Sequence, residues 1–263
     1  MSFSYHFTHA ICRRPGTSAT QGLRAVDTGT PDTDLFLQHH ADYITALKST
    51  GATVTELAAD EAFPDGCFVE DAALCLLELA IIMRPGAPTR LGEAALMKPV
   101  LEDLYPNVAE ITRGHIEGGD ILVTEREILI GSSDRTDAEG VENLREIVTP
   151  YGYSIRMVQT PPGVLHFKTD CSLLDAQTIL STRRLADSGC FDGYEVIHVA
   201  EGEEACANAI RFNNLVIMPA GFPETRATLT AAEYEVRDVG NSEAAKLDGG
   251  MSCLSLRFSP PAA

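Results

Sequence analysis

The chain is poor in basic residues. It has 20 lysines and arginines against 38 aspartates and glutamates, which gives a formal net charge of −18. A field of that sign repels phosphates and attracts small cations. The balance argues against nucleic acid or an anionic membrane as a partner and favours a small cationic ligand, although an acidic surface also serves solubility alone.

Long apolar runs are missing as well. No stretch of eighteen apolar residues occurs, so the sequence predicts no transmembrane helix. The first seven residues lack a basic segment followed by an apolar one, which predicts no signal peptide. The 263 residues are 44% hydrophobic, enough for a sizeable core, and no linker or low-complexity tract divides them. We therefore expect a single domain over residues 1–263.

Paired cysteine motifs are also absent. The seven cysteines are an odd number and none forms a C-x-x-C pair, which argues against a disulfide framework or a metal site and indicates a reducing cytoplasm. Six of them lie in or beside apolar runs and are interpreted as core filler. Cys253 differs, because it follows Gly249, Gly250 and Ser252 and opens a short apolar strand. A thiol held there by a flexible turn can be aimed at a bound carbon atom.

Helices and short strands alternate along the chain. Helices are predicted over 33–50, with Asp32 or Thr33 as cap, and over 92–104, 138–148 and 225–234. Strands are predicted over 4–11, 53–57, 67–77, 79–83, 121–124, 128–130, 165–169, 177–180, 206–212, 215–218 and 235–239.

Polar residues recur where each pair of strands begins. They are Glu70, Glu117, His166, Asn208 and Cys253, and successive members are 42 to 49 residues apart. A strand–strand–helix–strand unit repeated five times favours a closed, propeller-like α/β arrangement in which each leading residue points at a shared axis. An ordinary α/β sheet with coincidental spacing is the alternative.

If these positions converge, a thiol, an imidazole and several carboxylates meet. A thiol needs a base or a nearby positive charge to ionise near neutral pH. His166 can move the proton, and Glu117 can orient the imidazole. Glu70 and Asp71 lie inside an apolar run that contains no lysine or arginine before Arg84. Buried carboxylates need a partner, so either a ligand cation or a backbone turn is expected beside them.

Several ordered blocks of sequence carry a resemblance to a known family. They are 63–65, 68–71, 84–87 with Arg90, 117–120, 135–140, 165–168, 216–221 and 248–253. Together they resemble the dimethylarginine dimethylaminohydrolases of the guanidino-group modifying, or pentein, superfamily, over nearly the whole chain. The resemblance implies an α/β fold, a five-bladed α/β propeller of ββαβ repeats with pseudo-fivefold symmetry.

The resemblance also implies roles for individual residues. Cys253 matches the nucleophile, His166 the general acid and base, and Glu117 the carboxylate that partners the histidine. Binding roles are implied for seven more positions: Glu70 and Asp71 at the guanidinium end, Arg90 and Arg135 at the substrate α-carboxylate, and Asp65 with the backbones of Leu23 and Leu247 around the amino-acid end.

The implied reaction is hydrolysis of Nω-methylated arginine to citrulline and a methylamine, through a covalent intermediate on Cys253 and with no cofactor. The resemblance also suggests a homodimer. Three alternatives stay open. An arginine deiminase would release ammonia, a pentein without catalysis would need no thiol–imidazole pair, and an acidic binding protein would hold cationic amino acids without converting them.

Overall fold

The computed structural model describes residues 3–261 and arranges them as an α/β fold with five three-stranded sheets. In each sheet a first strand pairs antiparallel with a central strand, and the central strand pairs parallel with an outer one. The predicted fivefold ββαβ repeat is confirmed. None of the helices in this range is long and apolar enough to span a membrane.

The strands follow this order in all five sheets. The sheets are β3 (Ala73–Cys75), β4 (Ala80–Ile82) and β5 (Val108–Glu110); β6 (Ile121–Val123), β7 (Ile128–Ser132) and β8 (Ile155–Gln159); β9 (Cys171–Leu173), β10 (Thr178–Ser181) and β11 (Glu195–His198); β12 (Ile210–Phe212), β13 (Leu215–Pro219) and β14 (Glu235–Val239); and β15 (Leu256–Phe258), β1 (His9–Arg13) and β2 (Thr53–Leu57).

The fifth sheet joins the two ends of the chain. Strand β15 pairs antiparallel with β1, with Ala10 opposite Arg257, and β1 pairs parallel with β2. The repeat that carries Cys253 is therefore completed by the first strands of the protein, which fixes the cysteine relative to the rest of the molecule.

Seven α-helices connect the strands in the part of the chain that the structure describes. They are α1 (Thr33–Lys48), α2 (Leu91–Ala95), α3 (Lys98–Glu102), α4 (Ala138–Val148), α5 (Arg183–Ala186), α6 (Pro223–Ala231) and α7 (Ser242–Ala245). The side chains of Asp32 and Asp137 cap α1 and α4 by accepting from the amides of Leu35 and Gly140.

The buried side chains form five clusters, and the central strands β4, β7, β10 and β13 are buried almost throughout.

A short 3₁₀ turn precedes the first strand of each sheet. The turns are Val69–Ala72, Gly118–Asp120, Phe167–Thr169, Glu204–Ala207 and Ser252–Leu254. Neighbouring turns contact each other from 204–207 through 167–169, 118–120 and 69–72 to 252–254. Asn208 connects the two ends of this series, because its side-chain oxygen accepts from the Ser252 amide at 2.9 Å. The five leading residues predicted from the repeat lie in or beside these turns.

Several predicted elements differ from the structure. The strands predicted over 67–77 and 206–212 each overlap a 3₁₀ turn, and the strands themselves are only β3 and β12. The segment 165–169 is a turn and not a strand, and the first strand covers His9–Arg13 rather than 4–11. The helix expected over 92–104 is divided into α2 and α3. Pro99 lies in the first turn of α3, where its missing N–H costs nothing, whereas inside one continuous helix it would remove a hydrogen bond.

Candidate active site

Cys253 lies in the middle of the last 3₁₀ turn, and two glycines make its approach possible. The Gly250 amide donates to the Cys253 sulfur at 3.4 Å. A Cβ on Gly249 would lie 2.4 Å from the Phe68 ring, and a Cβ on Gly250 would lie 2.2 Å from the Asn208 amide carbon. Any side chain at either glycine would push the cysteine turn out of place.

His166 and Glu117 form a buried pair. His166 Nε2 lies 2.7 Å from Glu117 Oε2, and Glu117 is fully buried. Burial opposes the charge of the imidazole, but the carboxylates of Asp71 and Glu117 outweigh it and raise the pKa of His166 to about 9. Burial likewise opposes ionisation of Glu117, but the bond to His166 and its charge lower the pKa of Glu117 to about 2. The pair is therefore imidazolium and carboxylate at neutral pH.

The surroundings hold this pair in place. The second oxygen of Glu117 accepts from the Gly86 amide at 2.9 Å and lies 3.4 Å from Arg135 Nη1. Gly119 lies against His166 so closely that a Cβ there would be 2.9 Å from the ring. The imidazole consequently has one position, with Glu117 on one side and the glycine backbone on another.

Asp71 and Arg90 form a second buried pair. Arg90 Nη1 donates to Asp71 Oδ2 at 2.6 Å, while its Nε donates to Glu93 at 2.9 Å and its Nη2 to the Phe68 carbonyl at 3.1 Å. The other oxygen of Asp71 accepts from the Gly119 amide at 2.8 Å. The guanidinium of Arg90 thus donates to groups of the protein itself. Within residues 3–261, the half-buried guanidinium of Arg135 has only its long contact with Glu117.

Two aspartates hold the 23–25 segment against this region. Asp65 Oδ1 accepts from the Leu23 amide at 3.0 Å, and Asp248 Oδ2 accepts from the Ala25 amide at 2.6 Å. Burial raises the pKa of Asp65 from its usual value, although Arg90 and the Leu23 amide act against that rise.

These groups surround one concave space, which we call the Cys253 hollow. It is lined by Leu23, Arg24, Ala25, Asp65, Phe68, Asp71, Arg90, Arg135, Leu165, His166, Leu247, Asp248, Gly249 and Cys253. Cys253 and His166, remote along the chain, therefore share a hollow. Of the predicted site residues, Glu117 lies behind His166 instead of on the surface of this hollow, and Glu70 lies elsewhere.

Glu70 corrects an expectation drawn from the sequence. Its Oε1 accepts from Lys168 Nζ at 2.5 Å and Arg257 Nη2 at 2.6 Å, and its Oε2 accepts from the Ser252 hydroxyl at 2.6 Å. Its partners are thus two cations and a hydroxyl of the protein, neither a ligand nor a backbone turn. They lower the pKa of Glu70 against the opposing effect of burial. Glu70 faces away from the Cys253 hollow, because consecutive residues of the turn point to different sides.

Sequence reasoning did not single out Lys168, Arg257 or Asp248. A signal for the first two was present. Lys168 follows Phe167, and Arg257 lies between Leu256 and Phe258, so each is a basic residue in an apolar stretch. Buried charges need partners of opposite sign, and Glu70 had none nearby in sequence. Asp248 carried no comparable signal.

One group of side chains has the spacing of metal ligands. Ligand atoms of Asp71, Glu117 and His166 all lie within 4.8 Å of one another. A protonated imidazole does not bind a metal, so an ion would have to displace the proton that the two carboxylates stabilise. The arrangement is better suited to hold and move a proton.

Comparisons with known proteins place this geometry in a family. A family model described as arginine deiminase matches residues 82–218. The N(G),N(G)-dimethylarginine dimethylaminohydrolase of Pseudomonas aeruginosa is 39% identical over 254 residues, which covers 96% of this chain and 100% of that protein. The chain belongs to the dimethylarginine dimethylaminohydrolase family.

Solved structures of dimethylarginine dimethylaminohydrolases agree with the fold. A cysteine-to-serine variant of the Pseudomonas aeruginosa enzyme, complexed with citrulline, superposes with a TM-score of 0.93 over 97% of this chain and 100% of that one. A histidine-to-glycine variant, an adduct with S-methyl-L-thiocitrulline, gives a TM-score of 0.93 over 96% of this chain and 100% of that one. Both are 39% identical to this chain.

Proposed function

We propose that this protein hydrolyses Nω-methylated arginine to citrulline and a methylamine, with Cys253 as the nucleophile and His166 as the general acid and base. The observation that carries the proposal is the hollow that Cys253 and His166 share in a chain 39% identical to a dimethylarginine dimethylaminohydrolase. In the two solved variants of dimethylarginine dimethylaminohydrolase, the substituted histidine and cysteine are as far apart along the chain as His166 and Cys253 are here.

The free protein holds Cys253 mainly as a neutral thiol. Burial, followed by the charges of Glu70 and Asp71, raises the pKa of Cys253 to about 12. A guanidinium beside the sulfur opposes this rise in pKa, since opposite charges about 4 Å apart gain roughly 4 kcal/mol at an effective dielectric of 20. Substrate binding therefore promotes loss of the thiol proton to solvent, which leaves the thiolate, because His166 is already protonated. A thiol titration that finds full ionisation at pH 7 without ligand would contradict this step.

Attack by the thiolate forms a bond between sulfur and the guanidinium carbon and gives a tetrahedral adduct. The imidazolium of His166 then gives its proton to the departing methylamine as the carbon–nitrogen bond breaks. Water adds to the thiouronium intermediate, and His166 accepts one proton from it. The carbon–sulfur bond then breaks as the hydroxyl proton passes to the departing sulfur, which releases citrulline and restores the neutral thiol of Cys253. Glu117 keeps the imidazole oriented and protonated before the first step, and Asp71 holds the guanidinium.

The amino-acid end of the substrate would lie towards the opposite side of the same hollow. Arg135 is the cation best placed for the α-carboxylate, because Arg90 already donates to Asp71, Glu93 and the Phe68 carbonyl. The α-ammonium would meet Asp65 and the backbone carbonyls of Leu23 and Leu247, since the Leu23 amide is already bonded to Asp65.

The test compares substrates and intermediates in one experiment. Purified protein is incubated with asymmetric dimethylarginine, monomethylarginine or arginine, and citrulline is measured. Acid-quenched samples are then examined by mass spectrometry for an adduct on Cys253. We expect citrulline from the methylated substrates and an adduct on this cysteine. Citrulline from arginine alone would indicate a deiminase, and binding without citrulline would indicate a binding protein.

We also propose that the protein is a single catalytic domain that acts in the cytoplasm. All seven cysteines are free thiols, as a reducing compartment allows. The homodimer implied by the family resemblance stays a prediction, which light scattering of the purified protein checks.

A further inference from the structure

A second concave space lies on the other side of Glu70, and we call it the axial hollow. Its walls are the first strands of all five sheets, β3, β6, β9, β12 and β15, and its lining includes Glu70, Lys168, Ser172, Arg211, Ser252 and Arg257. The 3₁₀ turns divide it from the Cys253 hollow. Asp71, His166 and Cys253 face one hollow, whereas the nearby Glu70, Lys168 and Ser252 face the other.

The charge of the axial hollow is opposite to that of the protein. Among the described residues that line it, the basic ones are Lys168, Arg211 and Arg257, and the only acidic one is Glu70. The whole chain has a formal charge of −18. A concave surface of one sign between apolar walls concentrates its field and attracts ions of the other sign.

The floor of the axial hollow has more donors than acceptors. Lys168 and Arg257 both donate to the same oxygen of Glu70, so one carboxylate serves two buried cations. A lysine ammonium carries three N–H groups, and Glu70 Oε1 is its one acceptor within residues 3–261. On β9, which lines the same hollow, the Ser172 hydroxyl is buried and has no hydrogen-bond partner within the same residues. A buried hydroxyl in that state costs free energy until something accepts from it.

A third cation, Arg211, lies in the wall of the axial hollow. Arg211 donates to the Asn213 carbonyl at 2.7 Å, and its guanidinium lies 5.3 Å from the centre of the Tyr234 ring. Burial lowers the pKa of Arg211, against the opposing effect of neighbours that include Tyr234 and Asp175.

We propose that the axial hollow is a binding site for a small organic monoanion, a carboxylate with a short apolar chain. The carboxylate accepts from Lys168 and Ser172 at the floor, where one positive charge is in excess. The apolar chain lies against side chains of the wall strands, such as Leu74, Leu122 and Leu173. Phosphate fits less well, because it has no apolar part and leaves the apolar walls uncovered.

The first test uses butyrate as the probe and Ser172→Ala as the variant. Calorimetry or ligand-detected NMR with the full chain should show binding of butyrate to the wild type, about tenfold weaker in the variant because a charge-assisted hydrogen bond is lost. The variant should be as stable as the wild type or more so, since the hydroxyl it removes has no partner. No binding of butyrate, or equal affinity in both proteins, overturns the proposal.

A second pair of variants separates the local charge from the net charge. Arg211→Gln should weaken butyrate binding about threefold, whereas Arg113→Gln, which removes a positive charge at a surface ion pair with Glu146, should not. Butyrate should bind more tightly than acetate, chloride or inorganic phosphate, because only butyrate covers the walls. Equal weakening by both variants, or tighter binding of phosphate, overturns the proposal.

Competition shows which hollow the anion occupies. Saturating citrulline should leave the affinity for butyrate unchanged, because citrulline and butyrate would occupy opposite sides of the 3₁₀ turns. Displacement of butyrate by citrulline would place the anion at Arg135 and refute a separate site. These measurements need no turnover, so their failure and the failure of the proposed hydrolase activity are distinguishable.

Discussion

The two hollows are built from the same five turns, yet they arrange charge differently. In the Cys253 hollow, carboxylates and cations alternate: Asp71 is paired with Arg90, and Glu117 holds His166 from behind. Arg135 and Cys253 remain accessible to a ligand. The axial hollow instead has cations in excess around one carboxylate, Glu70.

The difference shows how a single turn serves two surfaces. Residues one or two positions apart leave a 3₁₀ turn in different directions, so Glu70 and Asp71 reach different hollows, as do Ser252 and Cys253. A ligand with both charges, such as a methylated arginine, suits the first arrangement. Predictions that change one member of such a pair test this division.

The largest effect is expected from the two partly exposed cysteines, one in each hollow. Cys253→Ser should lower kcat for dimethylarginine by at least about 10⁴-fold, since a neutral serine hydroxyl is a far weaker nucleophile than a thiolate. Cys75→Ser, in the axial hollow, should keep kcat near the wild-type value. Steady-state rates and circular dichroism of both variants check this. Equal losses would show that the sulfur of Cys253 has no special role.

The next effect concerns proton transfer. Glu117→Gln removes a charge that raises the pKa of His166, so the imidazole should lose its proton at a lower pH than about 9. General acid help is typically worth about 10²–10⁴-fold, and we expect a loss of kcat within that range. The pH profile of kcat should show its basic limb moved to lower pH. A loss of rate with an unmoved limb would mean that Glu117 acts by packing alone.

The same variant should change how stability depends on pH. Because the pKa of His166 is raised in the folded state, its protonation stabilises the fold fully below about pH 6.5. This stabilisation is lost as the pH rises through about 9. Because the pKa of Glu117 is lowered in the folded state, its ionisation stabilises the fold above about pH 4.5. This stabilisation is lost as the pH falls through about 2. The difference in unfolding free energy between wild type and Glu117→Gln should therefore be largest between about pH 5 and 6 and shrink towards pH 9. Denaturant melts across this range measure it.

The contrast between regions also explains what the sequence could predict. Helices α1 and α4 agree closely with the helices predicted over 33–50 and 138–148, and in the structure an aspartate side chain caps each of them. The leading residues were found because the repeat places them in equivalent turns. The side on which Glu70 emerges was not predictable, because periodicity gives the position of a residue along the chain and not its direction in an irregular turn.

The ion pairs between residues far apart in the sequence could not be predicted for a related reason. Lys168 and Arg257 are 98 and 187 positions from Glu70, so no local pattern joins them. The role of Arg90 was equally unreadable, because its bonds to Asp71 and Glu93 depend on how the 87–93 segment folds back. A buried charge in sequence predicts that a partner exists, but only the fold identifies it.

A smaller effect is expected at Arg135. Arg135→Gln should raise KM for dimethylarginine about tenfold and leave kcat nearly unchanged, because an α-carboxylate contact is similar in the ground state and the transition state. A substrate analogue without the α-carboxylate should be hydrolysed equally poorly by the wild type and by Arg135→Gln. If the variant lowers kcat and leaves KM unchanged, Arg135 acts on Glu117, 3.4 Å away, and not on the substrate.

The smallest effect on KM is expected at Glu70. Glu70→Gln should change KM by less than about threefold, because the side chain faces the axial hollow, whereas Asp71→Asn should impair turnover strongly. The unfolding free energy should nevertheless fall by about 3 kcal/mol, since Lys168 and Arg257 lose the carboxylate that compensates both. Chemical denaturation and steady-state kinetics of the two variants measure stability and turnover separately. A large rise in KM in Glu70→Gln would place this carboxylate at the substrate after all and would remove the division between the two hollows.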